Sequence, residues 1–223
     1  MVKKLTSGRP LHVRLKRSRG RTVSSQRWLT RQLNDPYVQQ AKLSGYRSRA
    51  AYKLVEIDDK FKILKPGSKV VDLGAAPGGW TQVALERVGP KGFVIGIDLT
   101  PVEPIGEALL ICGDFCDPQV LEALKASLKG PVNVVLSDMA APSTGHPPTD
   151  HLRIIALAEE AFAFAQDVLE AGGFFVAKVL RGGTEKELLA LLKKHFDKVV
   201  HFKPPASRAD SAEMYVVAIG FRP

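Results

Sequence analysis

The chain has 223 residues, of which 45% are hydrophobic and 25% charged, a composition and size suited to one α/β domain with a small appendage. No apolar run reaches the ~18 residues of a membrane span, and the N-terminus lacks the apolar stretch of a secretory signal, so a cytoplasmic protein without membrane attachment is expected. The net charge of +9 is unevenly placed: residues 1–65 carry 17 Lys and Arg against 4 Asp and Glu, a net of +13, whereas the remainder carries 15 against 19, a net of −4.

Residues 1–24 combine Lys, Arg, Ser and Gly with few large apolar side chains, which predicts a disordered basic tail. A transit peptide is the competing reading, but no apolar face recurs at helical spacing. Ten basic residues precede the first acid, Asp35. Such an arm on a near-neutral body points to a polyanionic partner, nucleic acid before a membrane surface. Residues 26–45 read as short helices on either side of Asp35-Pro36. Between Tyr46 and Leu64, Ala50, Leu54, Ile57 and Phe61 recur at helical spacing, and Pro66-Gly67 is the expected stop.

Strands and helices then alternate. Strands are expected at 69–74, 92–99, 108–115, 131–139 and 173–180, with helices at 78–88, 118–128, 150–170 and 185–195. Two further strands, 198–204 and 213–221, have no helix between them and so are expected to pair antiparallel. The fold class is therefore a Rossmann-like, doubly wound α/β domain with a mostly parallel seven-stranded sheet and an antiparallel last strand. Residues 25–223 form this single domain, with helices at 25–65 facing nucleic acid. Cys112 and Cys116 lack the second ligand pair of a structural zinc site and are expected in the core of a reduced protein.

In open α/β sheets, ligands bind beyond the carboxyl ends of the parallel strands. The first such end carries DLGAAPGGW, residues 72–80. Gly74, Gly78 and Gly79 permit a tight turn and a close ligand approach. Alanines replace the glycines of a pyrophosphate loop and Pro77 removes an amide donor, so a ligand without phosphates suits it better. Asp98 closes the second strand, 24 residues beyond Gly74, where a carboxylate accepts hydrogen bonds from a ribose. Asp114 follows the third strand, placed for an adenine amino group, although an acid before a helix is also an ordinary N-cap. Loop, ribose acid and base acid together describe a nucleoside pocket that fits S-adenosylmethionine.

Four more residues converge on the same edge. Asp138 ends the fourth strand, Lys178 interrupts the apolar run FFVAKVL of the fifth, and Glu213 begins the antiparallel last strand. Lys53 lies on the preceding helix. Each alone reads as part of a salt-bridge network; beside a nucleoside pocket the set reads as chemistry. Methylation of a ribose hydroxyl needs proton removal and alignment. Burial and Lys53 would prepare Lys178 for that role, with Asp138 and Glu213 orienting the lysines. Arg27, Arg31, Arg47, Arg49 and Arg208 are candidates for phosphate contacts. Tyr215, two residues beyond Glu213, is a candidate for base stacking or for the core.

SSQRWLTRQLNDPYVQQAK, YRSRAAYKL, KPGSKVVDLGAAPGGWTQVA, GDF, SDMA, AKVLRG and KPPASRADSAEMYVVA occur in order from about Ser25 to the C-terminus. In these motifs the chain resembles the FtsJ/RrmJ family of ribosomal RNA 2′-O-ribose methyltransferases. The resemblance implies a catalytic Lys-Asp-Lys-Glu tetrad on Lys53, Asp138, Lys178 and Glu213. It implies cofactor contacts at Gly74, Gly79, Trp80, Asp98 and Asp114. It also implies S-adenosylmethionine as cofactor, no metal, and a uridine of the 23S ribosomal RNA A loop in the 50S subunit as target. A monomer is the simplest expectation for the oligomeric state. The AAPSTG loop and the long arginine-rich tail depart from the family pattern. The tail leaves a tRNA anticodon loop as an alternative target. A non-catalytic RNA-binding assembly factor and a nicotinamide dehydrogenase are the rival classes.

Overall fold

A computed structural model describes residue 20 and residues 22–182 and 186–223. The expected disordered tail falls almost wholly outside the described residues.

Two short helices open the described chain, α1 (Val23–Leu33) and α2 (Pro36–Leu43). Asp35 separates them as an N-cap: its carboxylate accepts the Tyr37 amide at 3.0 Å, and Pro36 takes the first helical position, where no amide donor is needed. The third helix, α3 (Ala51–Phe61), is shorter at both ends than the expected 46–64. At its start, Arg47 and Gly45 are tied sideways to Gln82, through bonds of 2.8 and 3.0 Å, instead of winding into the helix. At its end, Lys62 adopts the left-handed conformation and donates to the Asp58 carbonyl. The Asp58 carboxylate then accepts the Leu64 amide at 2.8 Å, so the helix stops ahead of Pro66.

The sheet follows, made of β1 (Lys69–Leu73), β2 (Phe93–Asp98), β3 (Leu109–Cys112), β4 (Val132–Ser137), β5 (Leu169–Leu180), β6 (Phe196–Phe202) and β7 (Glu213–Phe221). Four helices connect it: α4 (Gly79–Val88), α5 (Pro118–Ser127), α6 (Pro147–Val168) and α7 (Lys186–His195). The strand order is β3-β2-β1-β4-β5-β7-β6; β1 to β5 run parallel, and β7 is antiparallel to both its neighbours. This is the expected architecture. A register shift between Val132 and Val134 lets β5 begin at Leu169, before the expected Gly173. Among the described residues, no helix is long and apolar enough to cross a membrane.

Both sheet faces are covered. One packs Val71, Leu73, Ala177 and Val179 against α5, α6 and α7. The other packs Val70, Val94, Val176 and Tyr215 against α3 and α4, with Trp80 of α4 in the same cluster. Strand side chains alternate between faces, so Lys178 follows Val176 onto the α3 and α4 side, while Ala177 and Val179 point into the larger core. Cys112 and Cys116 are corrected from core to surface: both are free and exposed, Cys112 at the solvent-facing end of the edge strand β3 and Cys116 in the turn before α5.

Candidate active site

The top of the sheet is held together by backbone before any side chain acts. The Asp138 amide donates to the Leu73 carbonyl at 3.1 Å, and the Gly74 and Ala75 amides donate to the Ile97 carbonyl. The ends of β4, β1 and β2 therefore meet. Gly74 has φ +81°, and a Cβ there would stand 2.9 Å from backbone atoms of Met139. Only glycine permits this approach.

Beyond these ends lies a cavity of about 760 Å³, walled by Gly74, Asp98, Leu99, Asp114, the Met139–Pro142 loop and Arg153 of α6. Its size is ordinary for a small-molecule site. Asp98 shapes the wall as well as lining it, because its carboxylate accepts the Ala76 amide at 2.9 Å and the Thr100 amide at 2.8 Å. Asp114 accepts the Cys116 amide at 2.9 Å. Two carboxylates at the ends of neighbouring strands, with the Gly74 backbone in the same wall, are acceptors suited to the hydroxyls and amino base of a nucleoside. Of the five residues expected to hold a cofactor, Gly74, Asp98 and Asp114 line this cavity. Gly79 and Trp80 do not: Gly79 packs beside Ala51 at the start of α4. Trp80 is 3% exposed, and its indole donates to the Ala50 carbonyl at 2.8 Å.

Lys53, Asp138, Lys178 and Glu213 do come together, and Asp138 joins the cluster to the cavity by forming part of its wall. Lys178 donates to the Asp138 carboxylate at 3.0 Å and to its carbonyl at 2.6 Å. Lys53 lies between the acids, 2.8 and 2.9 Å from the two Glu213 oxygens and 3.9 Å from Asp138. Both lysines are buried, at 8% and 9% exposure. Burial alone would raise the Asp138 carboxyl, but the Lys53 and Lys178 ammonium groups and the Tyr215 hydroxyl outweigh it and hold Asp138 below the usual carboxylate range.

Tyr215 is corrected from a base-stacking candidate to a member of this core. It is fully buried, pairs in register with Lys178, and lies 5.5 Å from the Trp80 ring. Its hydroxyl donates to Asp138 at 2.8 Å. Burial, with the charges of Asp138 and Glu213, pushes the phenol well above its ordinary value, so it stays a neutral donor. Beneath the loop, burial raises Asp72 to about 7, with Asp138 and Asp98 adding to the effect, against the hydrogen bond from Thr81.

The arginines divide. Arg31, Arg49 and Arg208 gather beside Glu213, paired with Asp210 or Asp35 at 2.9–3.5 Å. Arg47 instead donates to the Pro77, Glu103 and Pro104 carbonyls, which makes it a clamp on the glycine loop. Arg27 falls in α1, and its side chain lies outside the described residues. Sequence reading missed Arg153, and it took the loop after Asp138 as a departure from the family pattern without seeing that Met139–Pro142 form a wall of the cavity. It also missed the Tyr215 hydroxyl bond to Asp138, which the strand face shared with Glu213 does not by itself reveal.

A mostly parallel seven-stranded sheet with this cavity at its carboxyl edge is the Rossmann-like fold of methyltransferases. The chain matches the FtsJ-like methyltransferase family over residues 46–221, and it belongs to that family. It is 60% identical to the ribosomal RNA large subunit methyltransferase E of Cereibacter sphaeroides, over 100% of this chain and 96% of that one. The protein of the same name from Gluconobacter oxydans is 58% identical, over 95% and 78% of the two chains. Among solved structures, a protein from Plasmodium falciparum named as a ribosomal RNA methyltransferase is 34% identical, with a TM-score of 0.72, over 79% of this chain and 98% of that one. The fibrillarin/Nop5p complex, at 18% identity and a TM-score of 0.55, shares the fold over 77% of this chain and 83% of its own.

Proposed function

We propose that this protein transfers a methyl group from S-adenosylmethionine to a ribose 2′-hydroxyl of large-subunit ribosomal RNA, a uridine of the 23S A loop in the 50S subunit. The observation that carries the reading is the cluster of two lysines and two carboxylates, joined through Asp138 to the wall of a cavity suited to a nucleoside. The names borne by the bacterial relatives support the choice of RNA.

When bound, S-adenosylmethionine supplies an electrophilic methyl on a sulfonium sulfur. Gly74, Asp98 and Asp114 would hold it. An ammonium has three donors, and Asp138 occupies two of those of Lys178, leaving one direction for a hydroxyl. With a lone pair in that third direction in place of a proton, Lys178 steers the hydroxyl and takes its proton, while Asp138 keeps the other two N–H groups. Asp138 and Glu213 fix the two amines in place. Alignment matters as much as basicity, since about 1.4 kcal/mol of barrier is tenfold in rate. Arg31 and Arg208 face the RNA backbone beside Glu213, and the basic residues 1–22 extend that contact; backbone contacts position without reading sequence.

The test is incubation with labelled S-adenosylmethionine and undermethylated 50S subunits, followed by mapping of 2′-O-methyl groups. Label on an A-loop uridine supports the reading. Label only on a tRNA anticodon loop, or tight binding of the subunit with no transfer, overturns it.

A further inference from the structure

We infer that Ser207 is a positioning residue for the tetrad, acting through Glu213, and that Glu56 anchors the loop that carries it; the inference rests on the catalytic reading of the tetrad. Glu213 is the least enclosed acid of the cluster, with a side chain 20% exposed at the very start of β7. Three side-chain torsions separate its carboxylate from the backbone, so the sheet alone does not aim it at Lys53. Ser207 does. It is 5% exposed, and its hydroxyl donates to Glu213 Oε1 at 2.8 Å, the same oxygen that lies 2.8 Å from Lys53.

Ser207 stands in the connection between β6 and β7, which is pinned from several sides. Its own amide closes a turn onto the Pro204 carbonyl at 2.8 Å. The preceding residue, Ala206, is fully buried, and both its backbone groups are taken by side chains from the α3 region. Its amide donates to Glu56 Oε2 at 2.7 Å, and its carbonyl accepts Arg49 at 2.6 Å. The other Glu56 oxygen accepts the Tyr37 hydroxyl at 3.0 Å. Lys203 donates to the Ala209 and Ser211 carbonyls, and the Ser211 hydroxyl accepts the Glu213 amide at 3.1 Å.

Glu56 follows Lys53 by three residues, so both lie on one side of α3. A closed circuit results: Lys53 to Glu213, Glu213 to Ser207, Ser207 through Ala206 to Glu56, and Glu56 back along α3 to Lys53. The circuit sets the distance between the lysine and its acid independently of the sheet. A lone ion pair at this exposure would trade among several geometries; a third partner on the same oxygen removes that freedom.

The experiment measures kcat and KM for methyl transfer from S-adenosylmethionine to large ribosomal subunits. It uses the full-length chain with Ser207→Ala, Glu213→Gln and both together. Ser207→Ala is expected to lower kcat about tenfold, the rate equivalent of one hydrogen bond to a charged group, with KM unchanged. In the Glu213→Gln background the same change is expected to cost nothing further. Ser207→Thr, which keeps the hydroxyl, restores kcat. Should Ser207→Ala fail to fold, Ser207→Cys, with its far weaker donor, carries the same expectation. Wild-type kcat in Ser207→Ala, or an equal loss in both backgrounds, overturns the inference while leaving the tetrad standing. Wild-type kcat in Glu213→Gln overturns the tetrad reading itself, and the inference with it.

Discussion

Replacing Asp138 with asparagine removes one charge and almost no volume, so its consequences are electrostatic. Asp138 is the only carboxylate touching Lys178 among the described ion pairs, at 3.0 Å, and it stands 3.9 Å from Lys53. Both lysines are less than a tenth exposed. Removing one partner of a buried pair costs roughly 3–5 kcal/mol, because the remaining charge is left without compensation. Lys53 keeps Glu213, which argues for the lower end, about 3 kcal/mol. For a chain of this length that is a fall of roughly 6–12 °C in Tm. The pH dependence has a definite sign. The folded-state pKa of Asp138 is depressed, so its contribution is present above the ordinary carboxylate value and is lost as pH falls through the folded one. The gap between wild type and Asp138→Asn is therefore full at neutral pH and closes below about pH 4. Urea unfolding across that range measures it, and methyl transfer on the same samples should fall at least about a hundredfold. Equal stability at neutral pH would refute the reasoning, because the two ammonium groups would then be adequately solvated without Asp138. So would a gap that persists undiminished in acid.

Lys178→Ala is expected to abolish methyl transfer while calorimetry finds cofactor affinity nearly unchanged, since Lys178 does not line the cavity wall; equal loss of both would make it a structural lysine. Gly74→Ala forces a side chain into a left-handed backbone position 2.9 Å from Met139, and should cost about 2–4 kcal/mol in urea unfolding together with most cofactor affinity. Burial raises Asp72 from its ordinary 3.8 to about 7, so the folded state binds the extra proton and stability declines as pH rises through that window. Asp72→Asn, which keeps the acceptor for Thr81, should flatten that decline and raise Tm at alkaline pH. Deleting residues 1–22, which hold eight Lys and Arg and no acid, should weaken RNA binding and lower the slope of log affinity against log salt; an unchanged slope would mean the arm makes no phosphate contact.

The sheet was legible because its central strands are buried on both faces and read as apolar runs, and because no helix separates the last two strands. Lys178 was legible for the same reason: a charge inside FFVAKVL has no ordinary place. What the sequence could not supply was the third dimension of short-range chemistry. Tyr215 and Glu213 share a strand face by period, but whether the ring turns outward to a base or inward to Asp138 depends on Trp80, 135 residues earlier in the chain. Arg47 and Arg49 flank one serine and look equivalent; one clamps the glycine loop and the other is held by Asp35. The early end of α3 depended on a side chain, Asp58, competing for the Leu64 amide, where the only visible stop signal was Pro66-Gly67. Cys112 was misplaced because apolar letters in an edge strand do not carry the same burial as those at the centre.

The position of Lys53 explains why the N-terminal helices cannot be a detachable RNA-binding arm. This lysine precedes the first strand, so the sheet does not place it; α3 does, and α3 is tied to the domain by polar bonds at its start. Trp80 donates to the Ala50 carbonyl just ahead of α3, and Gln82 bonds both Gly45 and Arg47. The tryptophan and the glutamine belong to α4, the helix that follows the cofactor loop. The helix that follows the glycine loop thus fixes the start of the helix that carries Lys53. Arg49, at that start, also bonds Asp35 ahead of α2 and Ala206 next to Ser207. A strand of RNA pressing on α1 and α2 would meet groups already bonded to the frame of the tetrad. If RNA docks on α1 and α2 as proposed, docking and alignment of the reacting groups become one event, and a mutation that loosens α2 should change kcat as well as affinity for RNA.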